Sequence, residues 1–178
     1  MIGGIAVSIL SKPRTTKDID VIAWLPDHEM WSVFLASGKR FGITPRIPNA
    51  FEFAMHSRVL LLRHDISGVP IDVSMGALPF EEIAIKRAKQ VTVGDFQIPV
   101  PTPEDLIVLK AIAHRPRDLA DIESVLKAHT SIDEKWIRAT VQEFANLLDA
   151  PEIFDDLEKL LDARTKKTPR RISKGRKR

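Results

Sequence analysis

The 178-residue sequence contains no cysteine. This absence excludes a disulfide framework, a thiolate metal site and a cysteine nucleophile, and it fits a reducing compartment. No stretch approaches the roughly 18 apolar residues of a membrane-spanning helix. The apolar opening MIGGIAVSILSK has neither a preceding basic segment nor an A-x-A cleavage pattern, so it does not resemble a signal peptide. These absences predict a cytoplasmic protein with no membrane partner.

Motifs of several enzyme classes are also missing. The five histidines show neither H-E-x-x-H nor H-x-x-E-H spacing, which argues against a zinc site. The sequence has no G-x-S-x-G motif and no Walker A motif. A hydrolase built on a nucleophilic serine and a P-loop nucleotide site are therefore not predicted.

Positive charge is concentrated at the C-terminal end. Of the 27 Lys and Arg residues, nine fall within residues 164–178, which contain no acidic residue. The first 163 residues hold 18 basic and 24 acidic side chains, so they carry a net charge of −6. A segment composed like residues 164–178 buries too little apolar surface to fold alone, and we predict a disordered basic tail. Its charge suits attraction of nucleic acid, and it equally suits simple solubility.

The rest of the chain divides into an α/β half and a helical half. Apolar patterns in the first half predict helices at residues 5–10 and 27–40 and strands at residues 18–25, 53–63, 69–74, 91–93 and 96–100. After Thr102, predicted as a helix N-cap before Pro103, the pattern is helical. Ser131 and Glu134 predict a capping box, and Pro151 opens a last helix. The predicted units are residues 1–100, 101–163 and 164–178.

Three aspartates occupy positions where their charges are expected to meet. Asp18 and Asp20 alternate with apolar residues in DIDVIAW, so a strand would place both on one face. Asp72 stands alone among apolar neighbours in PIDVS, and a strand beside the first would aim it at the same spot. Such carboxylates can share divalent ions, which would cancel their repulsion. Each motif alone also fits strand ends whose side chains sit in water.

Residues near the first two aspartates are candidate phosphate contacts. Gly3 and Gly4 allow backbone N–H groups to approach a phosphate closely. Arg14 and Thr16 add cationic and hydroxyl donors. Glycines in a turn and an ordinary charged loop explain the same residues without a ligand.

Together these segments resemble the active-site signature of the DNA polymerase β-type nucleotidyltransferases, and more narrowly the AbiEii/AbiGii toxin-like branch. The sequence contains GGIAVSILSKPRTTKDID, PIDVS, TPEDLIVLK and RDLAD in the order typical of that branch, over residues 3–121. The resemblance implies an α/β (α+β) fold, in which a small mixed or antiparallel nucleotidyltransferase sheet with flanking helices precedes a C-terminal helical subdomain.

The resemblance also implies residue roles. Metal binding is implied for Asp18, Asp20 and Asp72, with Asp72 acting as a base or metal anchor for the incoming hydroxyl. Triphosphate contacts are implied for Gly3, Gly4, Arg14 and Thr16. In the helical half, a catalytic or nucleotide contact is implied for Lys110, and completion of the cleft for Asp121 and Arg117. A solvated lysine and a helix start that favours acidic residues explain these last three equally well.

The implied reaction moves a nucleoside monophosphate from an NTP to a hydroxyl on a tRNA end, another RNA or a protein. The implied cofactor is Mg²⁺, as two ions with Mn²⁺ as a substitute, and a cognate antitoxin is the implied partner. Two other classes stay open, a catalytically silent nucleic-acid-binding or regulatory module and a metal-dependent phosphodiesterase or nuclease. Members of the branch normally have a helix and a strand before the glycine pair, whereas only Met1 and Ile2 precede it here. Three interpretations stay open: an unusually short version, a misplaced start codon, or a sheet that has lost an edge, which a partner chain or a homodimer could complete.

Overall fold

The computed structural model describes residues 1–167 of the chain. The elements, in chain order, are α1 (Gly4–Leu10), β1 (Ile19–Trp24), α2 (His28–Lys39), β2 (Ile43–Pro45), α3 (Ala50–Ser57), β3 (Val59–His64), β4 (Pro70–Gly76), α4 (Pro79–Arg87), β5 (Lys89–Val93), β6 (Phe96–Val100), α5 (Pro103–Ala113), α6 (Pro116–Ala128), α7 (Glu134–Leu147) and α8 (Pro151–Lys167). Contacts divide the chain into two compact units, Met1–Leu106 and Ile107–Arg178.

The first unit is built on a four-stranded sheet with the strand order β1-β4-β3-β2. Strands β1 and β4 are parallel, whereas β4 with β3 and β3 with β2 are antiparallel. The sheet is therefore mixed, one of the two arrangements that the predicted fold class allows. Strands β5 and β6 form a separate hairpin. Gly94 in its turn has a φ of 59°, a left-handed conformation that glycine adopts without strain.

One face of the four-stranded sheet forms a hydrophobic core. Buried side chains on that face include Leu60, Leu62, Val73 and Met75. Helix α2 packs Trp31 into the same core, where its Nε1 donates a 2.9 Å hydrogen bond to the Leu25 carbonyl. Since side chains alternate along a strand, Asp20 and Asp72 point to the opposite face.

The second unit is helical. Its buried apolar residues recur every three or four positions along each helix, as expected for helices that bury one stripe. They include Ile122 and Val125 in α6, Ile137 and Val141 in α7, and Leu157 and Leu161 in α8. No helix within residues 1–167 is both long and apolar enough to cross a membrane.

The predicted strand at residues 53–63 is wrong in its first half. Residues up to Ser57 continue helix α3, which buries Ala50 and Ala54 four positions apart, and only Val59 onward is strand. Arg58, at a φ of 56°, makes the turn between them. The apolar run FEFAM fits a helix as well as a strand, so hydrophobic spacing alone did not distinguish the two. Strand β2 and helix α4 were not predicted.

Two predictions near helix ends also need correction. The N-cap of α7 is Asp133, whose side chain accepts a 2.9 Å hydrogen bond from the Trp136 N–H, rather than the predicted box of Ser131 and Glu134. The predicted tail begins too early, because α8 continues to Lys167 and Arg164 donates to the carbonyls of His129 and Thr130. The rest of that tail lies outside the described residues.

Candidate active site

Parallel pairing of β1 and β4 sets Asp20 directly opposite Asp72. Residues opposed in this way share a face of the sheet, and neighbouring strands lie only about 4.8 Å apart. Asp18 lies two residues before Asp20, and its Oδ1 accepts a 2.6 Å hydrogen bond from Thr16 Oγ1. All three aspartates are half-buried. The beginnings of two adjacent strands therefore carry the carboxylates that the sequence singled out.

The glycine pair brings the N-terminal backbone against these residues. A Cβ added at Gly3 would overlap the Asp20 carboxylate. A Cβ added at Gly4 would lie 2.7 Å from Thr16 Oγ1 and 3.1 Å from Arg14 Nη1. Both glycines are thus required by close approach to neighbouring side chains, which is a structural reason for them that the sequence did not reveal.

Hydrogen bonds fix the connection between α1 and β1. Ser8 Oγ lies 2.9 Å from the Gly4 carbonyl oxygen and 3.0 Å from that of Arg14, and it accepts from the Arg14 N–H at 3.2 Å. The Ile2 N–H donates to the Asp20 carbonyl at 2.9 Å. The predicted triphosphate contacts are consequently gathered beside the first two aspartates.

Arg46, which sequence reasoning did not single out, contacts Asp72. Its Nη1 lies 2.6 Å from Asp72 Oδ1, and the two side chains are 26% and 28% exposed. Arg46 directly follows β2, and its backbone N–H donates to the Leu61 carbonyl at 3.0 Å. Because strand β2 was not predicted, the sequence held no signal that could identify this arginine.

The carboxylates fit a divalent ion in part. Within residues 1–167, no three His, Asp or Glu side chains are grouped closely enough to form a complete metal site. Asp20 and Asp72 nevertheless offer the hard oxygen ligands that Mg²⁺ prefers, on one face of the sheet. Asp72 Oδ1 is buried, and its contact with Arg46 Nη1 at 2.6 Å is an ion pair without hydrogen-bond geometry.

The second unit holds its own charged cluster. Lys110 Nζ lies 2.7 Å from Asp118 Oδ1 and 3.2 Å from Asp121 Oδ2, and all three residues are less than a tenth exposed. Arg115 Nε lies 2.6 Å from Asp118 Oδ2. Burial by itself would raise the pKa of Asp118, but hydrogen bonds from Arg115 and Lys110 outweigh it and hold that pKa below its ordinary value. Arg117 is exposed on α6.

The structure therefore brings the predicted site residues together in two groups. In the first unit, Gly3 lies against Asp20, Gly4 lies against Arg14 and Thr16, Thr16 bonds to Asp18, and Asp20 lies opposite Asp72. The three predicted metal ligands Asp18, Asp20 and Asp72 do not form a three-carboxylate metal group among the described residues. The second unit joins Lys110 to Asp121 and adds Asp118, which was not predicted as a site residue.

A protein-family model covers nearly the whole chain. The family model described as "Nucleotidyl transferase AbiEii toxin, Type IV TA system" matches residues 1–175. The crystal structure of an antigenic nucleotidyltransferase-like protein from Paracoccidioides brasiliensis aligns at a TM-score of 0.48 and 15% identity, over 88% of this chain and 82% of that one. Comparison with curated proteins gives no match. The family match confirms the resemblance, and the chain belongs to the AbiEii nucleotidyltransferase toxin family of type IV toxin–antitoxin systems.

Proposed function

We propose that this nucleotidyltransferase moves a nucleoside monophosphate from an NTP to a hydroxyl acceptor, with release of pyrophosphate and with a requirement for divalent metal ions. The observation that carries the proposal is the register of β1 and β4, which sets Asp20 opposite Asp72 on the face away from the core. Like charges placed directly opposite destabilise a sheet. Their retention is understandable if both carboxylates share a cation during the reaction.

In this proposal Asp18, Asp20 and Asp72 would hold Mg²⁺, which when bound neutralises phosphate charge and activates the attacking hydroxyl. Two features of the chain position these carboxylates. The Thr16 hydroxyl fixes one oxygen of Asp18. The missing side chain at Gly3 leaves the space that the Asp20 carboxylate occupies.

The triphosphate would lie against the segment that connects α1 to β1. The Arg14 guanidinium lies beside the Gly4 backbone, and the Thr16 hydroxyl lies beside the same residue. The Arg14 guanidinium is a cationic donor that suits phosphate oxygens, whereas the Thr16 hydroxyl already donates to Asp18. Lys110 and Asp121 stay candidates for nucleotide contact, and their ion pair also gives them a structural role.

An RNA acceptor, in particular a tRNA end, is favoured by charge. Arg164 is committed to contacts within the second unit, but eight further Lys and Arg residues follow it in the sequence. Such a segment attracts nucleic acid through release of phosphate counterions. A protein hydroxyl is the competing acceptor. Membership of a toxin–antitoxin family supports an antitoxin that restrains this activity.

The test is an incubation of the purified protein with MgCl₂, each α-labelled NTP in turn, and either total tRNA or cell lysate. We expect label to enter the RNA from at least one NTP and only with the metal. Asp20→Asn and Asp72→Asn should each reduce transfer by at least about 100-fold, roughly 3 kcal/mol of transition-state stabilisation. Asp95→Asn, in the exposed β5–β6 turn, removes the same charge elsewhere and should leave transfer unchanged.

Other outcomes would point to other functions. Lack of transfer from all four NTPs, in protein whose N-terminus has been verified by mass spectrometry, would contradict the proposal. Shortening of RNA without NTP would indicate a phosphodiesterase. Salt-sensitive RNA binding that ignores Mg²⁺ and NTP and survives Asp20→Asn would indicate a silent binding module.

A further inference from the structure

Asp72 lies between a like charge and an opposite charge. Asp20 is opposite it on β1, and Leu61 is opposite it on β3. The Arg46 backbone bonds to the Leu61 carbonyl, so the Arg46 side chain extends across β3 to place its Nη1 2.6 Å from Asp72 Oδ1. The long arginine side chain thus delivers a positive charge to the carboxylate from two strands away.

The geometry of this ion pair is incomplete. Strong arginine–carboxylate pairs are usually bidentate, with two parallel N–H···O bonds. Arg46 Nη1 comes within 2.6 Å of Asp72 Oδ1, but no hydrogen bond of acceptable geometry reaches that oxygen from any described residue. The contact supplies charge without directional bonding, so another cation can replace it at that oxygen.

We propose that Arg46 is a competing cation for the Asp72 carboxylate. It neutralises Asp72 when no divalent ion is bound, and it gives up Oδ1 when an ion binds. This inference rests on the proposed role of Asp72 as a metal ligand. Arg46 is therefore a positioning residue that sets the metal concentration at which the site fills, and its removal tightens metal binding.

The test measures Mn²⁺ binding to the full chain directly, from the electron paramagnetic resonance signal of free Mn²⁺. Arg46→Gln should bind Mn²⁺ about 10-fold more tightly than the unaltered protein, because a nearby competing charge is gone. Arg63→Gln is the matched control, since Arg63 is an exposed arginine on β3 whose nearest carboxylate, that of Asp65, lies 4.0 Å away. It removes the same charge and should change the affinity less than about twofold, because exposed charges are screened.

A double variant tests whether Arg46 and the metal ion compete for the Asp72 carboxylate. With Asp72→Asn in place, Arg46→Gln should no longer change Mn²⁺ affinity. Arg46→Met, which keeps the apolar stem, should tighten binding as Arg46→Gln does, and thermal unfolding verifies that each variant is folded. If Arg46→Gln does not fold, the Arg46→Met result decides.

Several outcomes would overturn the inference. They are an unchanged or weaker Mn²⁺ affinity in the folded Arg46 variants, an equal gain in Arg63→Gln, persistence of the gain with Asp72→Asn, and no saturable Mn²⁺ binding at all. Label transfer by the unaltered protein separates the two proposals. Metal-dependent transfer together with any of these outcomes leaves the proposed function standing and rejects only the role of Arg46.

Discussion

The two acidic groups of this chain are built in opposite ways. In the first unit, Asp20 and Asp72 are half-buried, lie in register on one face of the sheet, and therefore repel each other. In the second unit, Asp118 and Asp121 are almost fully buried and close around the ammonium of Lys110. The first group sets two like charges side by side with Arg46 next to one of them, whereas the second group encloses a cation between its two carboxylates.

This difference suits the first group to a role in the reaction and the second group to a role in stabilising the fold. Breaking a buried ion pair is costly because the remaining charge stays in a medium that solvates it poorly. Carboxylates near solvent that repel each other contribute little to folding, and active sites often keep such unfavourable arrangements because the reaction needs them. We therefore expect changes in the first group to affect transfer more than stability, and changes in the second group to do the reverse.

The largest expected effect is on the stability of a Lys110→Met variant. Methionine leaves Asp121 without this cation and Asp118 with one cation fewer, so unfolding free energy should fall by about 3–5 kcal/mol. Urea unfolding followed by circular dichroism measures it. Lys86→Met is the control, because Lys86 is 70% exposed and its pair with Glu82 is a surface pair. That change should cost less than about 1 kcal/mol.

The result for Lys110 also decides between two roles. If Lys110→Met abolished transfer while unfolding free energy stayed within about 0.5 kcal/mol of the unaltered protein, the buried cluster would not be a support. The comparison between the two groups would then fail, and Lys110 would belong functionally with the aspartates of the first unit.

A Gly3→Ala change tests the first group without altering any charge. The new methyl group would overlap the Asp20 carboxylate, which has to turn away from its position opposite Asp72. We expect transfer to fall by about 10- to 100-fold and stability by about 1–3 kcal/mol. Gly68→Ala has open space around its Cβ and should cost stability through its positive φ while leaving transfer intact. Full activity in Gly3→Ala would show that the position of Asp20 is not critical.

The sequence was sufficient to predict those features that depend on residues close together along the chain. Asp18, Asp20 and Asp72 were singled out because charged residues interrupt apolar strand patterns. The β5–β6 hairpin was found because a Gly-Asp turn separates two alternating runs. Helices α5 and α8 were predicted from Pro103 and Pro151 at their first positions, and α6 and α7 mainly from their apolar spacing.

Other features depend on contacts between distant segments. No local pattern pairs Arg46 with Asp72, because that contact follows from the order of four strands. The packing reason for Gly3 appears only once the N-terminal backbone lies against Asp20. Burial of Lys110 was likewise invisible, since a lysine on a helix is usually solvated. Gly3 and Lys110 were predicted as site residues for their chemistry, but the close packing around each of them was not predicted.

A smaller effect concerns acid stability in the second unit. Because the pKa of Asp118 lies below its ordinary value in the folded chain, its ionised form stabilises the fold above about pH 4. That contribution is lost as the pH falls through the lowered pKa. Asp118→Asn should therefore cost on the order of 2 kcal/mol at pH 7 and progressively less towards pH 3, as measured by urea unfolding across that range. A pH-independent difference would contradict this linkage.

The smallest effect on stability is expected from a change at Asp105, a fully buried carboxylate in the first unit. Its pKa is shifted in the direction opposite to that of Asp118. Burial raises its pKa above the ordinary value, although the Thr102 hydrogen bond and the charge of Arg87, 3.4 Å away, oppose the shift. A raised pKa means that Asp105 favours the fold below about pH 4 and that this contribution is lost as the pH rises through the folded pKa. Asp105→Asn should thus gain stability relative to the unaltered protein between pH 4 and 7, by on the order of 1 kcal/mol.

The control for this last change is Asp118→Asn in the same titration, because the two substitutions remove one buried carboxylate each. Their stability differences from the unaltered protein should move in opposite directions as the pH rises. Parallel curves would mean that burial alone governs both residues. Opposed curves would show that the Arg115 and Lys110 donors, which Asp105 lacks, reverse the effect of burial on Asp118.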